Sequence, residues 1–168
     1  MLRRDVVSIV VAALFLPFTA QVLALGFGVW AADWRLARQG AIALAVSLEA
    51  SVLAGALVAL AFGGPDQFNG FKSPLVSLAL SLMIGIAAGL SSSDDTGRRY
   101  LIGVAAAAQS GVFPVWLGIA LVLGFPDVAT TAVRLSTLLL NIVSIGIAAS
   151  ISYGLMGFTG EHIRRFGR

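Results

Sequence analysis

Residues 138–151 read Leu-Leu-Leu-Asn-Ile-Val-Ser-Ile-Gly-Ile-Ala-Ala-Ser-Ile. A strand of an outer-membrane barrel alternates apolar and polar residues over about 10 positions. No such alternation is present here, so the segment reads as a helix. It lies inside a longer apolar stretch, from Leu135 to Gly157, and roughly 20 apolar residues suffice to cross a bilayer. Moving outward, four further stretches have the same character: Val6 to Ala32, Ala41 to Gly63, Pro74 to Leu90, and Leu101 to Gly124. The connections between them hold Gly, Pro, Asp and Ser, which end helices and make turns. The expected fold is an all-α integral membrane protein, one domain over residues 1–168 with five transmembrane helices.

Composition points the same way. Of the 168 residues, 58% are hydrophobic and 11% charged, against roughly 25% charged in soluble domains. The mean hydropathy is +0.96. A soluble fold of this size could not hide that much apolar surface. There is no cysteine and a single histidine, His162. That excludes disulfides, thiolate metal sites, thiol catalysis and a histidine cluster within one chain. Arg3-Arg4 followed by an apolar run resembles the start of a signal peptide, but the run is too long and Asp33-Trp34-Arg35 closes it like a helix terminus.

Lys and Arg in the connections set the expected orientation. Arg3, Arg4, Lys72 and Arg134 fall on one side; Arg35, Arg38, Arg98, Arg99, Arg164, Arg165 and Arg168 fall on the other, four against seven. The N-terminus is therefore expected outside and the C-terminus in the cytoplasm, in the plasma membrane of a prokaryote. The cytoplasmic arginine clusters are expected to anchor to anionic lipid. No basic face with interleaved aromatics suggests nucleic acid.

Helices in lipid associate through small residues at close contacts. The third stretch places Ser73, Ser77, Ser81, Gly85, Gly89 and Ser93 at every fourth position. Each step of four turns the stripe by about 40°, which predicts a central helix with several neighbours, packed through Ser77, Ser81, Gly85 and Gly89. Shorter stripes occur at Ser47, Ser51, Gly55 and Ala59, and at Ser144, Ala148 and Ser152.

Polar groups at membrane depth are the candidate functional residues. Glu49 falls near the middle of its stretch, where a charge costs roughly 2.5–3.5 kcal/mol. It is expected to face the bundle interior or a wet cavity, as a proton or cation site, or to fix packing as a buried hydrogen-bonded acid. Gln21, Gln109 and Asn141 are weaker candidates for the same path. Pro17 and Pro114 each free a carbonyl one turn earlier, and such breaks must face protein or water. An internal repeat is also visible: Leu23-Ala-Leu-Gly-Phe27 matches Leu121-Val-Leu-Gly-Phe125 at four of five positions. The first two stretches would then repeat in the last two with opposite sense, an arrangement common in transporters.

These residues carry a resemblance. Leu16-Pro17 through Leu25-Gly26-Phe27-Gly28, then Asp33-Trp34-Arg35-Leu36, Arg98-Arg99-Tyr100-Leu101-Ile102-Gly103-Val104-Ala105, Phe113-Pro114 and Leu140-Asn141-Ile142 resemble the transmembrane part of an uncharacterised hydrophobic domain family of prokaryotes, the domain of unknown function 389. Two departures stand out: Ala20-Gln21 replaces a Gly-Pro pair, and one proline rather than two lies near Pro114. The resemblance implies the fold and supplies no chemistry.

Two functions follow from the residues. One is a transporter or channel component for a small solute or ion, acting as a homo-oligomer. The other is a non-transporting structural or assembly subunit of a larger membrane complex. An intramembrane enzyme needs paired acids or a nucleophile with its base, and the spans offer only Glu49; no catalytic residue, cofactor or metal is expected.

Overall fold

The computed structural model describes residues 18–63, 71, 73–91, 105–106 and 109–157. Among these, five helices are present: α1 (Phe18–Trp30), α2 (Trp34–Phe62), α3 (Pro74–Ser91), α4 (Val112–Leu123) and α5 (Val128–Leu155). Two of them, α2 and α5, are long and apolar enough to cross a membrane. At 1.5 Å per residue, their 29 and 28 residues reach about 42–44 Å. The described parts of α1, α3 and α4, with 13, 18 and 12 residues, are short, so the five-span expectation is corrected to five helices with two of crossing length.

Both long helices begin seven residues before the expected starts at Ala41 and Leu135. The reason is capping. Asp33 accepts the N–H groups of Arg35 and Leu36, and Asp127 accepts that of Thr130 at 2.7 Å, satisfying donors that a helix start leaves free. The first polar turns are therefore helix rather than loop. The Thr130 hydroxyl and N–H hold the Asp127 carboxyl below its ordinary range. Its folded value is the lower one, so this cap acts at neutral pH and is lost only as pH falls through that depressed value.

Contacts fix the directions. Gln21 pairs with Ser47, and Gly40 and Gly28 lie against Leu25 and Ala37, so α1 and α2 form an antiparallel hairpin. Its turn is three residues long. Asp33 N–H donates to the Gly28 carbonyl and Ala32 N–H to that of Val29, with Ala32 at φ +52°, the left-handed C-terminal closure usually given to glycine. Gly146 faces Val22, Gly26 faces Gly146 and Ser150, and Gly154 faces Trp30, so α1 runs parallel to α5. The α4–α5 connection reverses the chain, with Arg134 reaching back over Trp116. The two hairpins, α1–α2 and α4–α5, thus run in opposite senses, and α1 packs on α5 as α4 packs on α2.

Asp33 and Asp127 each cap the long helix of their hairpin, whereas the five-residue match does not fall on like positions. Gly26 lies inside α1, whereas Gly124, at φ +100°, closes α4. The motif therefore aligns unlike positions.

The third helix is not central. Among the described residues α3 packs chiefly along α5, parallel to it. Gly85 meets Ile145 and Ala148, Gly89 meets Ala149 and Ser152, and Ser77, Ser81 and Ala88 are buried. Ser77, Gly85 and Gly89 of the stripe meet α5, which offers its own small residues at the same spacing. Val22, Leu44, Ala59, Ala106, Val115, Ile119 and Ile145 form the apolar core.

Candidate functional site

Pro114 shapes the site. It lacks an N–H, so the Ser110 carbonyl four residues earlier loses its helical donor. The helix is interrupted at Gly111, which begins α4 with no side-chain cap. Before this break, Gln109 lies beside α3. The Gln109 amide donates to the Ser77 carbonyl at 2.7 Å and to Ser81 Oγ at 2.9 Å. Ser77 Oγ in turn donates to Asn141 Oδ1 at 3.1 Å. Two of the expected residues, Gln109 and Asn141, are thereby joined through α3 into one polar knot.

The knot is incompletely satisfied. Asn141, and Ser110 next to Gln109 in the chain, are both 0% exposed, and among the described residues Asn141 Nδ2 and Ser110 Oγ find no hydrogen-bond partner. Exchanging the Asn141 amide atoms would leave its oxygen unpaired instead. Buried polar groups without partners are costly, so such a cluster is a place where a solute or water finds donors and acceptors.

Above the knot, toward the α4–α5 connection, lies a cavity of about 290 Å³. Phe71, Pro74, Phe113, Thr130, Arg134 and Thr137 line it, with Ala129 and Val133. Antiparallel α4 and α5 bring Phe113 to the level of Thr137 and Trp116 to that of Arg134. On α5, Asn141 lies one turn beyond Thr137. The Arg134 guanidinium lies 4.0 Å from the centroid of Phe71 and 4.6 Å from that of Trp116. Phe71 stacks at an angle on Phe113 and edge-on to Trp116.

The other expected residues lie elsewhere. Gln21 donates to Ser47 Oγ at 2.6 Å on the α1–α2 seam, and its Oε1 is unpaired. Pro114 is buried; Pro17 lies outside the described residues. Glu49 does not face the interior. It is exposed on α2, in a row with Ile42, Val46, Leu53, Leu57 and Leu60, which are 53–70% exposed. The reason is angular: Ser47, Ser51, Gly55 and Ala59 are buried on the inner face, and two residues beyond Ser47 is about 200° around the helix.

Arg134 escaped the sequence reading because it was placed in a connection. The signal that finds it is the Asp127 cap, which puts Arg134 two turns inside α5. Phe71 and Trp116 carried no usable sequence signal, since their meeting depends on how α4 folds back.

A family model described as Domain of unknown function (DUF389) matches residues 9–147. No curated protein matches the chain, and no solved structure does.

Proposed function

The chain belongs to this DUF389 family, whose description assigns no activity, and from the chain's own geometry we propose a membrane carrier or channel component for a small solute or ion, acting as a homo-oligomer. One observation supports it above the others: a cavity beside Arg134 ends one turn above a buried polar knot with unpaired atoms. A pathway closed at mid-depth has this form. The two hairpins of opposite sense support an inverted repeat, and solute sites in such repeats lie near the bilayer midplane beside broken helices. The five-crossing reading rests on sequence alone, on the apolar residues 6–17 and 101–111 that precede α1 and α4. Arg35 and Arg38 lie at the opposite end of the bundle from Arg134, in keeping with the positive-inside orientation in a prokaryotic plasma membrane. Purified protein in liposomes should conduct a small solute that empty liposomes do not; the absence of any protein-dependent flux across a panel of ions and small acids contradicts the proposal.

The Glu49 face bears on oligomer formation. An acid in an exposed apolar row would cost roughly 2.5–3.5 kcal/mol against lipid, and a second copy packed on α2 would cover it. Glu49→Leu should convert the homo-oligomer to monomer in mild detergent, read by native mass spectrometry, while Glu49→Gln retains it. An unchanged assembly in Glu49→Leu removes this face from the interface. The same exposed acid favours the second reading, an assembly subunit of a larger complex; co-purification of unrelated chains that depends on Glu49 distinguishes it.

A further inference from the structure

Arg134 gives the cavity a chemistry of its own. A guanidinium lying over aromatic faces keeps its N–H groups in its own plane, directed away from the rings. Here two rings, Phe71 and Trp116, hold it. Asp127 acts on Arg134 only through space, because its carboxylate caps α5 at Thr130. The cation is therefore positioned by the two rings, and among the described residues its N–H groups have no hydrogen-bond acceptor. Beside it, Phe71, Phe113 and Pro74 supply an apolar wall. Thr137 lies at the deeper end; its hydroxyl donates to the Val133 carbonyl at 2.7 Å and keeps its lone pairs. One fixed cation against an aromatic wall matches an oxyanion that carries an apolar body.

We infer that this cavity binds a small organic oxyanion from solution, its carboxylate on the Arg134 guanidinium and its apolar part against Phe71 and Phe113. The inference names the solute class of the carrier proposed above and rests on that reading. A lipid headgroup phosphate offers the same charge. The volume of about 290 Å³ and a lining that includes the buried Thr137 suit a compact acid instead.

The three tryptophans, Trp30, Trp34 and Trp116, provide the test. With Trp30→Phe and Trp34→Phe, the remaining emission comes from Trp116, in contact with Arg134. Benzoate is titrated into this protein in nanodiscs of zwitterionic lipid and of anionic lipid, with acetate as the acid lacking a large apolar body. A saturable change with benzoate in both lipids is expected, stronger than with acetate. Loss of charge-assisted hydrogen bonds should make binding roughly tenfold to a hundredfold weaker in Arg134→Gln. Thr137→Leu, which fills the deeper end and spares Arg134, should weaken benzoate binding as well, and it stands as the test should Arg134→Gln lose its helical circular dichroism. Absence of saturation overturns the inference, as does unchanged affinity in either folded variant. An emission that follows anionic lipid content and ignores benzoate assigns the site to headgroups and also overturns it. Benzoate binding without flux in liposomes keeps this site and discards the carrier; flux indifferent to Arg134→Gln does the reverse.

Discussion

Replacing Gly118 with valine should separate α2 from α4 and lower the unfolding free energy by about 3 kcal/mol, the upper end of what overpacking costs. A Cβ at Gly118 would overlap the Val52 carbonyl oxygen and come within 2.8 Å of the Ala56 nitrogen. These are backbone atoms and cannot rotate away. The facing residue is equally tight: a Cβ at Gly55 would overlap the Val115 carbonyl oxygen. Lipid gives helices no hydrophobic reason to associate, so close backbone approach of this kind supplies much of the contact energy. The site depends on it, because α4 carries Phe113 and Trp116 to Phe71 and Arg134. Gly146→Ala is the control. Its added methyl would meet only Val22 Cγ1, at 3.9 Å, and alanine in a helix interior is favoured over glycine by roughly 0.5–1 kcal/mol. Thermal unfolding in detergent should therefore drop sharply for Gly118→Val and hold or rise for Gly146→Ala. Equal midpoints for the two variants would contradict the packing described.

Asn141→Leu separates function from stability. The side chain is 0% exposed and holds Ser77 Oγ. Interhelical hydrogen bonds of this kind average about 0.6 kcal/mol, with a maximum near 1.7. After the change the Ser77 hydroxyl can turn to a carbonyl of its own helix, so the protein should unfold within about 2 kcal/mol of the wild type. Solute flux in liposomes should fall at least a hundredfold, because the leucine removes the unpaired amide and closes the polar step below the cavity. Flux at the wild-type level would take Asn141 off the pathway. Flux and stability lost together would make it a packing residue.

How much of this was legible in the sequence differs by element. The helical class follows from runs such as 138–151, because a period of two is absent whatever the environment. The helix starts were misplaced because hydropathy is lowered by Arg35, Arg38 and Gln39, and again by Thr130, Thr131 and Arg134, whereas the cap at Asp33 or Asp127 decides where hydrogen bonding begins. The outward aim of Glu49 was within reach: the stripe Ser47, Ser51, Gly55 fixes the inner face, and Glu49 lies opposite. Gln109 and Asn141 were recognisable as polar groups needing partners, but Ser77 and Ser81 read as packing residues, and only the fold shows them serving both roles. The five-residue match misled because apolar helices reuse few residue types: Gly26 lies inside α1, whereas Gly124 closes α4. The aromatic cradle of Arg134 was out of reach, since it joins residues 71, 116 and 134 through tertiary packing alone.

The absence of cysteine permits a direct test of whether the cavity is a wet path at membrane depth. Thr137→Cys and Leu139→Cys, introduced singly and kept in native membranes, are exposed to a membrane-impermeant maleimide from each side. Thr137 lines the cavity, whereas Leu139 is 62% exposed on the outer face of α5. Labelling of residue 137 from the Arg134 side alone, with residue 139 silent from both sides, is the expected result. Residue 137 silent from both sides, or residue 139 labelled as readily as residue 137, would contradict it.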